Sequence, residues 1–389
     1  MMNKQNKTIL KQTAVYIHIP FCEHKCIYCD FYSIITKDNV AAFLHSLKKE
    51  ISYYADLHAS GRIISSIYFG GGTPSLMSPA YIQDIIELVD TKFIIADDIE
   101  VTLETNPGTV ERTKLKEFKE IGINRLSIGI QSFDEDELKF LTRIHNKQTA
   151  IDTVFQAKEA GFENISIDLI FNLPGQTKAL WMNNLETALT IPINHISTYS
   201  LILERGTILN KMVLDGKVKI QSAEGGEEYD ADLYEKTIDY LTDNSFYQYE
   251  VSNFAKQSYE CRHNNSYWHY KDYFGFGTSA HSFIDGKRSW NFSSLKKYIS
   301  EIEQHNFAIA GSEKPGSEQR LNEYVMLALR SQGIIIGEMN RIFGSKWLSE
   351  KNDYLTKLEN KSFLTKKNGL IKLTKTGYAV CDEIIKNLI

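Results

Sequence analysis

Short apolar, β-branched runs recur along the first half of the chain, separated by longer stretches of mixed polarity. Six stand out: VYIHI from Val15, SSIYF from Ser65, IEVTLE from Ile99, RLSIGI from Arg125, ISIDLI from Ile165 and HISTYSL from His195. Between them lie amphipathic segments such as VERTKLKEFKEIG and TAIDTVFQAKEAG, both closing on glycine as helices commonly do. Strand and helix alternating at this spacing predict βα units and a parallel sheet. Six units suit an α/β fold of the partial (β/α)6, TIM-like barrel type better than a full eight-unit barrel, with an open sheet as the alternative.

Beyond about residue 205 the alternation loosens. EEYDADLYEKTIDYLTDN predicts a helix, and a segment rich in Tyr, Phe and Trp follows, from YQYEVSNFA to CRHNNSYWHYKDYFGFGTSAHSF. SEKPGSE, Ser312 to Glu318, has linker composition. After it, QRLNEYVMLALRSQG, GEMNRIFG and WLSEKNDYLTKLEN predict three helices, LIKLTKTG a strand and turn, and the chain closes on a further helix. Three helices with a small β-wing suggest a mostly helical, winged-helix-like domain. The expected segments are an N-terminal tail at 1–13, the barrel at 14–235, an aromatic linking segment at 236–311 and the C-terminal domain at 312–389.

Composition narrows the class of function. At 389 residues and 42% hydrophobic, the chain has enough apolar material for a barrel and an appendage. A net charge of −5 gives no general attraction to nucleic acid or anionic membrane. Lys366, Lys367, Lys372 and Lys375 surround the expected wing, but no arginine-rich recognition helix accompanies them, so no nucleic-acid partner is expected. No apolar run has the length of a membrane span, and the lysine-bearing N-terminus lacks an apolar core and cleavage site. The five cysteines are sparse and mostly clustered, which fits reduced thiols serving a metal and a cytoplasmic location.

In parallel βα proteins chemistry gathers at the C-terminal ends of the strands. The first strand runs directly into Cys22, Cys26 and Cys29, spaced C-x3-C-x2-C. Zinc favours two separated pairs of ligands, and Cys261 and Cys381 are remote single residues, so the spacing favours an iron–sulfur cluster. Three thiolates on a cubane leave one iron open to an external chelator. The second strand ends in GGGTP, Gly70 to Pro74, where Gly71, Gly72 and Thr73 either bring backbone N–H groups to a ligand or simply make a tight turn. Glu104 and Asp168 sit near strand ends, suited to an ammonium or to ribose hydroxyls, or merely to internal hydrogen bonds. Gln131 and Arg143 could contact a carboxylate, although Arg143 taken alone has the pattern of a surface residue.

These motifs together carry a resemblance. YIHIPFC, YFGGGTPSL, ETNPGT, RLSIGIQSF and IDLIFNLPGQT, in this order and spacing, resemble the radical S-adenosylmethionine (SAM) superfamily, in its coproporphyrinogen-oxidase-like branch. The likeness extends from about Tyr16 to the C-terminal domain. It implies a [4Fe–4S] cluster on Cys22, Cys26 and Cys29, with SAM on the remaining iron. It also implies that Tyr16, Tyr28, Gly71, Gly72, Thr73, Glu104, Gln131, Arg143 and Asp168 contact SAM.

Within that branch, oxygen-independent coproporphyrinogen III oxidases resemble a C-x3-C-x2-C-x-C pattern, whereas Phe31 occupies the position of the last cysteine here. HNNSYW, His263 to Trp268, is similar to a haem-binding pattern in the branch's haem chaperones. There His263 would ligate iron, with Tyr267 and Trp268 as a flat wall. From the residues alone, a structural aromatic cluster with a hydrogen-bonded His263 is the more expected reading. Cys261 suits ligation less, and Cys381 has the setting of a buried thiol. The resemblance thus implies a haem chaperone, with haem as cargo and a haemoprotein as recipient. A membrane-associated acceptor and a second copy of the chain are further candidate partners. The alternative is a coproporphyrinogen-decarboxylating enzyme, which Phe31 disfavours.

Overall fold

The computed structural model describes residues 10–36, 38–219 and 226–389. Of the expected N-terminal tail, residues 1–9 lie outside the described residues. Six strands form the heart of the fold: β1 (Lys11–Ile19), β2 (Arg62–Gly71), β3 (Ile94–Thr105), β4 (Arg125–Gln131), β5 (Asn164–Phe171) and β6 (His195–Ser200). Each pairs in parallel with the next in chain order. Helices such as Val40–His58, Pro79–Lys92 and Lys147–Glu159 connect them. Parallel strands covered on both faces need apolar residues on both, and every residue of β4 except Gln131 is buried.

Helix starts follow side-chain chemistry. Ser78, Asn146 and Thr177 each accept a backbone N–H at the N-terminus of the helix they precede, and Pro79 opens the first of these helices.

The sheet does not close on itself. Strands β7 (Tyr247–Gln248) and β8 (Asn253–Ala255) extend it antiparallel beyond β6. On the opposite side, β9 (Tyr273–Phe276) pairs in parallel with β1, and β10 (His281–Ile284), β11 (Lys287–Asn291) and β12 (Ile309–Glu313) continue as an antiparallel meander. The aromatic segment expected to link two domains therefore contributes strands to both edges of the barrel sheet. The divisions expected at 235/236 and 311/312 fall inside the helix Glu227–Asp243 and inside β12.

Two close approaches fix β9 and its turn, one against β10 and one against β1. A Cβ on Gly275 would lie 1.9 Å from the His281 carbonyl oxygen, and one on Gly277 would lie 2.5 Å from that of His18. Only glycine permits backbones this close. Below them, Arg62 bridges the buried Asp272 at 2.6 Å, tying the start of β2 to the approach to β9.

One apolar core runs from Val15 to Ala308, and a second from Val325 to Leu388. The second lies among the helices Ser317–Leu329, Ile336–Phe343, Lys346–Asn360 and Cys381–Leu388 and a small antiparallel sheet of β13 (Ile334–Ile335), β14 (Leu364–Lys367) and β15 (Leu370–Leu373). Here β14 and β13 are additions to the one strand expected in this region. Lys375 reaches Asp239, and the Val251 N–H donates to the Arg330 carbonyl at 2.8 Å, joining the two halves. Among the described residues, no helix is long and apolar enough to cross a membrane.

Candidate functional site

β1 delivers the chain to the barrel mouth, and a loop carries Cys22, Cys26 and Cys29 across it. The Cys22 N–H donates to Ile34 O at 2.9 Å and the Cys29 N–H to Cys26 O at 3.2 Å, so the loop folds back on itself. The loop is also fastened from outside. The Thr73 hydroxyl approaches Cys22 Sγ at 3.6 Å, and Arg143 Nη1 approaches Cys26 Sγ at 3.5 Å. Burial raises the Cys22 thiol, and burial with the neighbouring sulfurs pushes Cys29 up to about 11. Thiols held protonated in this way ionise only when a metal displaces the proton.

Among the described residues, no set of three His, Cys, Asp or Glu side chains is gathered tightly enough for a single metal ion. The donor set nevertheless fits a cubane cluster. Each of its three protein-ligated irons takes a separate thiolate, so the sulfurs stand wider apart than ligands of one ion. No fourth protein ligand is needed when one iron takes an external chelator.

Arg143 departs from the surface setting that its sequence suggested. Its Nη2 donates to Asn106 Oδ1 and to Gly129 O, each at 2.6 Å, and Tyr28 lies beside it. Asn106 in turn donates to Thr73 at 2.9 Å. One chain of polar contacts therefore connects Cys26, Arg143, Asn106, Thr73 and Cys22. Gln131, at a positive φ of 74°, sits where β4 slips register against β5, and its amide lies over Gly129.

The glycine turn serves the fold more than a ligand. The Gly72 and Thr73 N–H groups donate to Ile19 O and Phe21 O, each at 2.8 Å, and the Gly71 N–H donates to Glu104 at 3.1 Å. The turn is the mould in which the residues before Cys22 lie. These three N–H groups already have acceptors within the protein, as the tight-turn reading expects.

Inside the mouth, Tyr68 donates to Glu104 at 2.8 Å, and Tyr16 lies against Tyr68. Burial raises the Glu104 carboxyl to about 7 despite these donors. Burial likewise raises Asp168, which Ser127 and Ser197 partly offset by hydrogen bonding. Two carboxyl groups facing one space suit a ligand bearing an ammonium and hydroxyl groups.

His18 escaped the sequence reading although it shares a strand face with Tyr16, two residues away. Its ring nitrogens lie 3.1 Å from Tyr16 Oη and 2.9 Å from Tyr32 O. It therefore pins the end of the cysteine loop to β1. Asn106 and Tyr68 were also missed, since neither residue type announces a role without its neighbours.

The HNNSYW pattern lies on a short helix below the barrel mouth. His263 opens the helix Arg262–Trp268, and its backbone N–H donates to the buried Glu100. Its Nδ1 lies 3.0 Å from Ser66 Oγ and its Nε2 lies 2.8 Å from Tyr267 Oη. Ser66 stands five residues before Gly71, roughly 16 Å of strand below the mouth. Burial and nearby Arg125 bring the imidazole down to about 3. His263 is 1% exposed, with both ring nitrogens engaged within the protein. It is the structural member of an aromatic cluster with Tyr68 and Tyr267. Cys261 is fully buried against Glu100, and Cys381 is buried in the C-terminal core, as its setting suggested.

A cavity of about 650 Å³ opens beside the cysteine loop, within the roughly 300–1,000 Å³ usual for small-molecule sites. Asp30, Phe31 and Tyr32 border it directly after Cys29, and Tyr267 reaches it, while His263 and Trp268 are absent from its lining. The helix Ser317–Leu329 closes it with Glu323, Met326 and Leu327.

The radical SAM superfamily profile matches residues 16–188. The heme chaperone HemW of Bacillus subtilis (strain 168) is 33% identical over 378 residues, 95% of this chain and 97% of that protein. This chain belongs to the HemW family of radical SAM proteins. The Escherichia coli (strain K12) HemW is 36% identical over 289 residues, 72% of each chain. Among solved structures, coproporphyrinogen III oxidase (HemN) from Escherichia coli superposes with a TM-score of 0.82. That match has 22% identity and covers 98% of this chain and 90% of that one, so it speaks for the shared fold. Membership of the HemW family implies a [4Fe–4S] cluster and SAM, in keeping with three thiols and two carboxyls at one barrel mouth.

Proposed function

We propose that this chain binds haem and delivers it to a recipient haemoprotein, while holding a [4Fe–4S] cluster on Cys22, Cys26 and Cys29 and SAM beside it. The observation that carries the reading is Phe31. It stands where the oxidases of the branch resemble one another in a further cysteine, and it lies 61% exposed on the cavity wall. An apolar ring at this position suits contact with a flat macrocycle and offers no sulfur for redox or proton chemistry. The near full-length likeness to proteins named heme chaperones supports the same reading.

When bound, the cluster and SAM supply one-electron chemistry, which the protein's own groups orient. In this reading Glu104 takes the ligand's ammonium, Asp168 its ribose hydroxyls, and Arg143 and Gln131 its carboxylate. Tyr16 and Tyr28 wall the same space, and Gly71, Gly72 and Thr73 contact it through the turn. The recipient is a haemoprotein, including one held at a membrane, and a second copy of the chain is a further partner. All five cysteines are free thiols, which suits a reducing cytoplasm.

Haem titration of anaerobically reconstituted protein, assayed in parallel for coproporphyrinogen III conversion, tests the proposal. Stoichiometric haem uptake without porphyrinogen conversion is expected. Conversion accompanied by 5′-deoxyadenosine release, with no haem bound, overturns it in favour of the oxidase.

A further inference from the structure

We propose that Arg125, buried in the barrel below the mouth, is a positioning residue for SAM: its unpaired positive charge holds Glu104 and Asp168 for the ligand's ammonium and ribose hydroxyls. The inference rests on the SAM-binding reading above and names what tunes its two carboxyls.

Side chains of β4 alternate between the faces of the sheet, and Ser127, which reaches Asp168 at 3.5 Å, marks the inner one. Arg125, two residues earlier, therefore points into the barrel, where it is 2% exposed. Its Nε and Nη1 are buried without a hydrogen-bond partner, and no carboxylate bridges it among the described residues. Across β3 it pairs with Thr102, whose hydroxyl is also buried and unpartnered, while Glu104 pairs with Ser127, one inner position nearer the mouth. That step is about 7 Å of strand, a distance over which a charge still acts strongly in a low-dielectric interior.

A purely structural arginine would be neutralised by a contacting carboxylate. Glu100, on the same face of β3, is placed for this. Its oxygens instead accept from Cys261 Sγ and from the N–H groups of Arg262 and His263. The imidazoles of His195 and His263 stay neutral, lowered by burial and by Arg125 itself. Burial pushes the Cys261 thiol up to about 12, so it keeps its proton.

Around Glu104 stand Tyr16 from β1, Tyr68 from β2, Asp168 from β5, Tyr199 from β6 and Tyr267 from the helix Arg262–Trp268. Burial raises all four phenols, which are therefore uncharged. Arg143 faces Asp168 but is held by Asn106 and Gly129. Arg125 is the cation that faces both carboxyls, and it offsets part of what burial does to each.

Two readouts on anaerobically reconstituted full-length protein test this. Infrared difference spectra against Glu104→Gln follow the Glu104 carboxyl with pH in the absence of SAM. Equilibrium dialysis follows SAM affinity, relative to wild type, between pH 6 and 9. Arg125→Met removes the charge, and Thr102→Asp neutralises it from the paired position while leaving the guanidinium to pack. Both should move the carboxyl titration up by about one pH unit and weaken SAM binding about fivefold at pH 7, with the ratio to wild type closing toward one by pH 9. Arg125→Lys, which keeps the charge, should stay near wild type. If Arg125→Met does not fold, Thr102→Asp decides. An unmoved Glu104 titration in folded Arg125→Met or Thr102→Asp overturns the proposal, as does an affinity loss of equal size at every pH. Either result leaves SAM binding itself standing. Wild-type protein that binds no SAM removes that reading and this role with it.

Discussion

The Tyr68 hydroxyl donates to Glu104 at 2.8 Å while the Gly71 N–H donates to the other carboxylate oxygen at 3.1 Å, so one side chain joins β2 and β3 at the barrel mouth. Glu104 nonetheless holds its proton up to about pH 7, because burial outweighs the two donors. A ligand that brings an ammonium to this group must find it ionised. SAM affinity should therefore rise between about pH 6 and 8 and level off above. Glu104→Gln should weaken binding at pH 8 by tenfold or more and flatten the profile. Equilibrium dialysis across this range checks both.

Thr73 and Arg143 each reach one sulfur of the cysteine loop, Cys22 and Cys26 respectively. Replacing Cys22, Cys26 or Cys29 by serine should bring iron after anaerobic reconstitution from about four per chain to near background. Arg143→Met should retain the cluster but make it labile, because the guanidinium that reaches Cys26 Sγ is gone. Iron and sulfide analysis with a time course of bleaching in air separates the two effects.

Gly72 lies against the backbone that leads into Cys22. A Cβ there would stand 2.6 Å from the Phe21 carbonyl oxygen and 2.9 Å from the Pro20 carbonyl carbon. Backbone cannot yield as a flexible side chain can, so Gly72→Ala should cost about 1–3 kcal/mol. It should also lower cluster incorporation by displacing the loop. Denaturant melts and iron content measure these consequences.

Glu50 is fully buried between Tyr298, Asn291 and the Gly277 N–H, and burial raises it to about 7. Between about pH 4.5 and 7 the folded chain keeps a proton that the unfolded chain has released. Raising the pH through this window therefore reduces stability, by up to roughly 3 kcal/mol from this group. Glu50→Gln keeps the hydrogen-bonding shape without the ionisation. Its melting temperature should lose that downward slope, as thermal melts at several pH values would show.

The six parallel strands were legible because each is a compact apolar run followed by a helix, a pattern that local sequence carries. The cysteine loop was legible because all three thiols lie within eight residues. Strand β9 was hidden in an aromatic segment, since pairing with β1 joins residues some 260 positions apart and leaves no local period. Asn106 and His18 were hidden for a related reason. Each matters through a partner that only the folded chain supplies, Arg143 for one and the Tyr32 carbonyl for the other.

Sequence alone determined the chemistry on offer in this protein: three thiols at a spacing suited to a cluster, carboxyls at strand ends, and a phenylalanine where a sulfur could have stood. Tertiary structure alone decided which side chains remain free to use it. Packing beneath the mouth engaged both nitrogens of His263 with Ser66 and Tyr267, and packing at the mouth engaged those of His18 with Tyr16 and the Tyr32 carbonyl. Histidine's residue type is identical in the two places. What differs is the hydrogen-bond partners that packing brings within reach, which neither spacing nor composition records.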